Sequence, residues 1–437
     1  MSGRSVTSPH QANYWLTDAD IPSGSEGPLP DRADVAVIGA GFTGLSAALF
    51  LVKRGIRVVV LEARTIGWGA SSRNGGMVLT GLKLRVESIA RLYGSDAAKR
   101  MYRASVASID RVEEIVRDEN IGCNFCRCGH LEVACKPSHF ADYARSAEFI
   151  AREFDHRLRI VERNELSQEI GSNIYFGGLV DETSGGLQPA RYVAGLARAA
   201  LKHGAAIHEN SPVKEVRRVF LDGEAAFTLA LSHGRLFARR VFVASGAYTS
   251  SFVPELRKKI IRIGSYIVAT KPLSEALARE LSPRNRMIYD SRHFLHYFRL
   301  APDNRMLFGG RAAFLPETRG RVLHSAEILR ADMVKTFPQL SQTPVEYVWG
   351  GTLDFCFDTM PHASFDAGLY YVLGFAGHGV AMATYLGTQM AKAIAGAAEE
   401  QPFKEIPFPN APHGLRGRWP FLLPAAGAFY KVLDWVS

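Results

Sequence analysis

Three glycines, Gly39, Gly41 and Gly44, and an acid, Glu62, eighteen residues beyond the last of them, have the types and spacing of a group that binds a dinucleotide. In Gly39-Ala40-Gly41-Phe42-Thr43-Gly44 the first glycine allows a tight turn and the second lets backbone approach a diphosphate. The third lets a helix lie close on a strand. The diphosphate would rest on the helix N-terminus, where unpaired N–H groups and the dipole favour negative charge. Glu62 is placed to accept both hydroxyls of an adenosine ribose. Positioning these groups needs a strand, a helix and a second strand, and the chain supplies them in order. Val35-Ala36-Val37-Ile38 is a buried apolar run, and Phe42, Leu45, Leu49 and Val52 form one helical face ended by Gly55. Val58-Val59-Val60-Leu61 then leads to Glu62. A glycine pattern alone is a weak signal, but from Asp34 to Glu62 every part falls in register.

Further along are segments too rich in small residues for ordinary helix or strand. Gly67-Trp68-Gly69-Ala70-Ser71-Ser72-Arg73-Asn74-Gly75-Gly76 can wrap backbone N–H groups around a planar polar ligand. Val241-Phe242-Val243 runs into the tight turn Ala244-Ser245-Gly246-Ala247-Tyr248. Leu369-Tyr370-Tyr371-Val372-Leu373 feeds Gly374-Phe375-Ala376-Gly377-His378-Gly379 and a helix from Val380 to about Ile394. That last strand–turn–helix has no acid closing a following strand, so it is not a second dinucleotide site. With one fingerprint only, no place for NAD(P)H is evident, and electrons should come from the substrate. There is no nucleophile motif and no pair of carboxylates suited to acid–base work.

Length and composition narrow the classes. The 437 residues can bury a large core, and 47% apolar with 22% charged residues is ordinary for a soluble protein. The net charge of +9 is scattered, with short clusters at Arg257-Lys258-Lys259 and Arg416/Arg418, so a nucleic-acid partner is not favoured. No secretory signal is read in the first thirty residues, and no apolar run approaches the ~20 residues that span a bilayer. The expected setting is the cytoplasm. The tail from Trp419 to Trp435 alternates aromatic and aliphatic residues and is expected to dock on its own domain rather than on a membrane. Five cysteines, an odd number, point to a reducing compartment. Cys123, Cys126, Cys128 and Cys135 resemble metal spacing, but the segment alternates like a pair of strands around Gly129. No metal site is expected there, only small thiols on strands.

Periodicity predicts helix from Val86 to Glu119 with Ile89, Leu92, Tyr93, Met101, Val112 and Ile115 buried, then helices over Pro137–Glu153 and Arg163–Ile170. A helix from Pro189 to Gly204 precedes a strand at Ala206–Glu209. Strands dominate from Ile260 to Thr270, and Leu295–Leu300 with Met306–Phe308 reads as a hairpin turned by Pro302-Asp303-Asn304. Alternating βαβ pieces at both ends with sheet-rich segments between them give an α/β fold. It comprises a Rossmann-like dinucleotide domain, discontinuous in sequence, with an inserted sheet-based (α+β) substrate domain. The expected division is an extension over 1–33, the dinucleotide domain at 34–85, 186–253 and 362–400, the substrate domain at 86–185 and 254–361, and a tail over 401–437 packing on the core.

Taken together, these motifs resemble the FAD-dependent D-amino-acid-oxidase-like superfamily, and within it the γ-glutamylputrescine oxidoreductase-like enzymes. The resemblance runs from Tyr14-Trp15 to the Trp419–Pro424 tail and is most specific in Trp68–Gly76. Tyr297-Phe298-Arg299, Phe308-Gly309-Gly310-Arg311, Trp349-Gly350-Gly351 and Gly377-His378-Gly379 support it. It implies that Gly39, Gly41 and Gly44 hold the pyrophosphate of non-covalent FAD and Glu62 its ribose, with Phe42, Thr43, Ala63 and Arg64 also among the cofactor-binding residues. Gly69, Ala70, Ser71, Arg73, Asn74, Gly75 and Gly76 would line the path to the flavin ring, with Ser245 and Gly246 beside it. Val213, in a strand after Pro212, would meet the adenine. Gly377, His378, Gly379 and Val380 would meet the pyrimidine edge, whose charge on reduction a helix N-terminus favours. The implied reaction is oxidation of an amine or amino acid by hydride transfer to flavin N5. Imine hydrolysis and reoxidation by oxygen, giving hydrogen peroxide, would follow. A same-fold dehydrogenase passing electrons to a quinone or protein acceptor is the alternative; a nucleic-acid-acting or non-catalytic flavoprotein is another. Arg299 is the candidate clamp for a substrate carboxylate, with Tyr297 and Trp349 as candidate pocket walls. Cys356-Phe357-Asp358 stands where a hydroxyl residue is common in the family, which leaves the substrate open.

Overall fold

The computed structural model describes residues 8–221, 224–313, 318–397, 401–404 and 406–415. Strand β1 (Arg32–Ile38), helix α1 (Phe42–Val52) and strand β2 (Val58–Leu61) form the predicted opening unit. A short helix α2 (Ala70–Arg73) and strand β3 (Met77–Val78) follow, then α3 (Val86–Tyr93) and α4 (Ser95–Asp118). β4 (His130–Val133), α5 (Pro137–Phe154), β5 (Arg159–Val161) and β6 (Gly178–Asp181) begin a second sheet. The chain returns through β7 (Gly185–Gly186), α6 (Pro189–Lys202), β8 (Ala206–His208), β9 (Glu215–Leu221), β10 (Glu224–Ala230) and β11 (Arg235–Val243). It crosses again for α7 (Pro254–Arg257), β12 (Ile261–Thr270), α8 (Glu275–Leu281), β13 (Met287–Asp290), β14 (Tyr297–Leu300), β15 (Met306–Ala313), α9 (Arg319–Thr336) and β16 (Val345–Phe355). β17 (His362–Asp366), β18 (Leu369–Leu373) and α10 (Gly379–Ile394) close the first sheet.

The first sheet has the order β17-β18-β11-β1-β2-β8, with β9 and β10 added beside β11. From β18 to β8 every pairing is parallel. Parallel strands covered on both faces need apolar residues at successive positions. β1 meets this need: Val35 and Val37 enter one core with α1, α6 and α10, while Ala36 and Ile38 enter another with β10 and α7. The second sheet runs β16-β12-β15-β14-β13-β4-β6-β5, with only the β13–β4 pairing parallel. Its strands alternate strictly. Leu131, Val133, Val180, Ile288, Phe298, Phe308 and Val348 share a core with Val322, Leu329 and Met333 of α9. The residues between them point the other way.

Four local expectations need correction. The helical stretch after Val86 is two helices, because Gly94 takes φ +87° and ends the first; Leu92 lies off the face that Val86 and Ile89 bury and is 64% exposed. Arg163–Ile170 holds only a single 3₁₀ turn, Leu166–Gln168. The supposed strand pair around Gly129 has only its second member, β4, because Cys126 makes no more than an isolated bridge to Gly186. Val213 lies in the connection before β9 rather than in a strand. The Trp419–Pro424 tail lies outside the described residues. Ahead of it, Phe403 and Ile406 join the core beside α10, and Phe408 stacks on His362 with ring centroids 3.9 Å apart. Among the described residues no helix is long and apolar enough to cross a membrane.

Candidate active site

The C-terminal ends of β1, β2, β11 and β18 converge, and each runs into one of the small-residue segments. Open parallel sheets bind ligands at that edge. After β1, Gly39 takes φ +111°, and a Cβ there would lie 2.7 Å from the Ala244 carbonyl of the turn that contains Ser245 and Gly246. A Cβ on Gly44 would stand 2.0 Å from the Gly39 carbonyl, so α1 can lie this close to its strand only with glycine at that point. Gly41 caps α1 without any side-chain hydrogen bond, and its nearest neighbour is Ser71 Oγ, which accepts the Phe42 N–H at 3.0 Å. Phe42 and Thr43 are buried in the first turn of the helix.

Glu62 ends β2. Its carboxylate accepts the N–H groups of Ala40 at 2.8 Å and Arg64 at 2.9 Å. Burial pushes its carboxyl above the ordinary value, and these amides, with that of Ala63, pull the other way. The connection after β8 runs alongside: Asn210 N–H reaches Arg64 O and Ser211 N–H reaches Glu62 O, which brings Val213 near the acid.

The turn from Ser72 to Gly76 is held from outside by four side chains remote in sequence. Asn13 donates to Ser72 O at 2.8 Å and Trp349 to Arg73 O at 3.0 Å. Trp15 donates to Asn74 O at 2.8 Å and Arg299 to Gly76 O at 3.1 Å. Asn74 completes the turn by accepting the Gly76 N–H at 2.8 Å and donating to Ala70 O at 3.0 Å. With its carbonyls bound on one side, the turn presents the other to the strand ends.

That arrangement redefines two expected substrate residues. Arg299 is only 4% exposed, and its guanidinium is committed to the carbonyls of Gly76, Leu187 and Leu300. Its Nε and Nη1 are thus taken up by backbone and not by a substrate carboxylate. Trp349 is likewise buried, with its indole N–H on Arg73. Tyr297 does sit beside the turn, 3.2 Å from where a Gly75 Cβ would be.

After β18, Gly374, Ala376 and Gly377 all take positive φ, and His378 caps α10 without a side-chain bond. Asp354 of β16 accepts the Gly374 N–H at 2.8 Å and steadies this turn. Among the described residues His378 Nδ1 is buried without a hydrogen-bond partner, as is Ser72 Oγ. Burial brings the His378 imidazole down to about 3, with Lys83 and His130 adding to the effect. Helix ends whose N-cap residues make no side-chain bond, an acid at the ribose position and orphaned polar atoms in both small-residue segments form a set of polar groups that fits a dinucleotide flavin.

Between the sheets lies a cavity of about 120 Å³, bounded by Thr80 just after β3, His378, and the polar face of the second sheet. From that face come His130, Glu132, Asp181 and Tyr289, with Arg85, Glu87 and Tyr102 from α3, its N-cap and α4. None of these was singled out in the sequence. His130-Leu131-Glu132-Val133 alternates polar and apolar, which signals a strand with one polar face but not where that face looks.

The thiols nearby are all free. Cys126 and Cys128 are hydrogen-bonded to each other, and this bond, with Arg299 close by, lowers the Cys126 thiol, whereas burial pushes Cys123 up to about 12 and Cys135 to about 11. Cys126 should therefore be alkylated by iodoacetamide at neutral pH well ahead of Cys123, Cys135 and Cys356. Mass spectrometry at short times would read this, and equal labelling of Cys126 and Cys135 would refute it. Among the described residues no three metal-ligating side chains cluster closely enough to hold an ion.

Comparison with known proteins bears on the same regions. Residues 34–393 match the family described as FAD dependent oxidoreductase (DAO). The chain is 32% identical over 404 residues to γ-glutamylputrescine oxidoreductase of Escherichia coli (strain K12), with 92% of each chain covered. It is 32% identical over 411 residues to the probable oxidoreductase OrdL of Haemophilus influenzae, again with 92% of each covered. Among solved structures it is similar to glycine oxidase from Geobacillus kaustophilus, with a TM-score of 0.73 at 20% identity, covering 88% of this chain and all of that one.

Proposed function

Because the chain belongs to the FAD-dependent oxidoreductase (DAO) family, we propose that it oxidises the C–N bond of an amine, in the manner of its γ-glutamylputrescine oxidoreductase relative. The observation that carries this reading is the cavity. It is walled by the stretch from Thr80 to Glu87 and by His378 on one side, and by the polar face of the second sheet on the other. Its volume suits the end of an unbranched chain and is well below the ~300 Å³ of a pocket for larger ligands. Arg299 is engaged by backbone, and Glu132 and Asp181 face inward, so the site favours an amine over an α-amino acid with its carboxylate beside the nitrogen.

Residues 34–85, 186–253 and 362–400 are assigned to the FAD-binding domain, and 86–185 with 254–361 to the substrate domain. The N-terminus of α1, with Gly39, Gly41 and Gly44, would hold the diphosphate. Glu62 would take the ribose and Val213 the adenine. The N–H groups of Arg73 to Gly75 and of Gly377, Gly379 and Val380 would face the ring. Bound FAD supplies a two-electron acceptor for the hydride leaving the carbon beside nitrogen. The polar face orients that carbon, and the resulting imine hydrolyses in water. Oxygen is the expected final acceptor, and the five free thiols suit a reducing cytoplasm.

The test is anaerobic bleaching of the yellow protein by a panel of primary amines, secondary amines and α-amino acids. Terminal amines should bleach it, with peroxide formed on admitting air. Failure of every amine would refute the proposal. Bleaching without peroxide, together with dye reduction, would reassign only the acceptor.

A further inference from the structure

The cavity contains a buried chain of polar groups that substrate positioning alone does not require. His130 Nδ1 lies 2.8 Å from Ser184 Oγ. That hydroxyl accepts the Thr80 N–H at 3.1 Å and lies 3.4 Å from Thr80 Oγ1. Thr80 in turn donates its hydroxyl proton to Asp181 Oδ2 at 2.6 Å, which also meets His156 Nε2 at 2.9 Å. Asp181 accepts the Thr183 N–H at 2.9 Å as well. Despite burial, the His156, His130 and Thr80 contacts hold its carboxyl well below the usual range.

An ionised carboxylate can only accept, so every donor in the chain points toward Asp181. Thr80 gives its proton to Asp181 and offers lone pairs to Ser184. Ser184 gives its proton to Thr80 and offers lone pairs to His130 Nδ1–H. This assignment of hydrogens leaves the His130 lone pair on Nε2, 3.4 Å from the Tyr289 hydroxyl, at the cavity wall opposite His378. The Tyr289 ring stacks on His130 at 5.4 Å.

We propose that His130 is a catalytic base that takes a proton from the substrate's ammonium through Nε2, an inference that rests on the amine-oxidation reading above. An aliphatic amine near pH 7 is neutral in only about one molecule in a few thousand. Glu87 and Asp181 around the cavity favour entry of the charged form, while Glu132 is paired with Arg85. Hydride cannot leave the carbon beside an ammonium, because no lone pair is available to form C=N. In the balanced step the ammonium of a primary amine first gives one proton to Nε2 and becomes neutral. The carbon beside nitrogen then gives its hydride, with both electrons of the C–H bond, to FAD. The nitrogen lone pair closes the C=N bond, which leaves a protonated imine. Water converts this to a carbonyl compound and ammonium, and the imidazolium returns its proton to solvent. Asp181 stabilises the imidazolium through Ser184 and Thr80, the role a buried carboxylate plays behind an orienting hydrogen bond.

The charged and titratable groups facing His130 are Asp181 and His156 on one side, and Arg286 and Tyr289 from β13 and the connection before it. His378 and Lys83 lie across the cavity, with Tyr102, Arg85, Glu87 and Glu132 along its wall. Burial, His156 and Arg286 keep the imidazole neutral before substrate arrives, against the pull of Asp181.

The test compares His130→Asn with the parent holoprotein, both first shown to carry equal FAD. At neutral pH the variant's anaerobic bleaching by a primary amine should fall by about 10²-fold or more. The rate should climb about tenfold per pH unit and meet the parent's near the amine's own pKa, and added imidazole should restore part of it at neutral pH. A reduction by one constant factor at every pH, or an unchanged pH profile, would overturn the base assignment alone. Failure of every amine to bleach the parent would overturn the amine reading and this step with it. A second readout needs no turnover: tert-butylamine has no hydrogen on the carbon beside nitrogen. Its binding should move one histidine nitrogen resonance to the imidazolium position in the parent and not in the variant. No such resonance in the parent would refute the transfer.

Discussion

Arg299→Met is expected to give colourless protein. The arginine is buried and holds three backbone carbonyls, of Gly76, Leu187 and Leu300. Methionine fills similar volume and donates nothing. Gly76 O would keep only the Leu187 N–H, and Leu187 O would lose the guanidinium that lies 2.9 Å from it. A buried carbonyl left without its charged donor costs about 2 kcal/mol, offset in part by removing a buried cation. The effect on FAD should be larger than that on melting, because Gly76 is the last residue of the turn presented to the strand ends. Arg299→Lys should rescue poorly, since one ammonium cannot reproduce a planar fork across separate carbonyls. The flavin band relative to the protein band, with a thermal melt, measures both. A fully yellow Arg299→Met protein with an unchanged melt would show that the turn does not depend on this residue.

Gly44→Ala should remove FAD binding and stability together. Its Cβ would meet the Gly39 carbonyl at 2.0 Å and Val37 Cγ1 at 3.1 Å, and the carbonyl is backbone fixed between parallel strands. The first turn of α1 must therefore move, at a cost of about 3 kcal/mol for forced overpacking. Gly41→Ala is the informative partner. Its Cβ would meet Ser71 Oγ at 2.7 Å, an atom that can rotate away, so the fold should persist. FAD should still be lost, because the methyl would occupy the surface against which the diphosphate rests. Full FAD retention in both variants, judged by absorbance after dialysis, would remove the glycine turn from the cofactor site.

The opening unit was legible because each of its signals is local. The apolar run of β1, the glycine spacing, the helix face from Phe42 to Val52 and the acid at Glu62 all lie within thirty residues, and α1 begins at Phe42 as the pattern predicts. Residue type was also a good guide to Trp349 and Arg299, but their roles were not legible. An arginine on a strand looks the same whether it meets a substrate or a carbonyl 223 positions away. His130, Glu132, Asp181 and Tyr289 were missed for a topological reason. They meet only because β4 pairs with β13 on one side and β6 on the other, and the alternation within one short strand does not reveal its neighbours. Leu92 was misplaced because it is apolar but falls off the face that Val86 and Ile89 bury.

The turn from Ser72 to Gly76 also has a consequence for how the chain folds. Its carbonyls are tied to Asn13 across 59 positions, to Arg299 across 223 and to Trp349 across 276. Local elements such as α1 and α4 can form within their own segments, but this turn takes its shape only after loops of hundreds of residues have closed, and those are the slow steps of folding. The cradle is therefore among the last parts of the chain to be completed. Uptake of the cofactor is expected to be a late event that marks a finished molecule, not a template around which an unfinished one assembles.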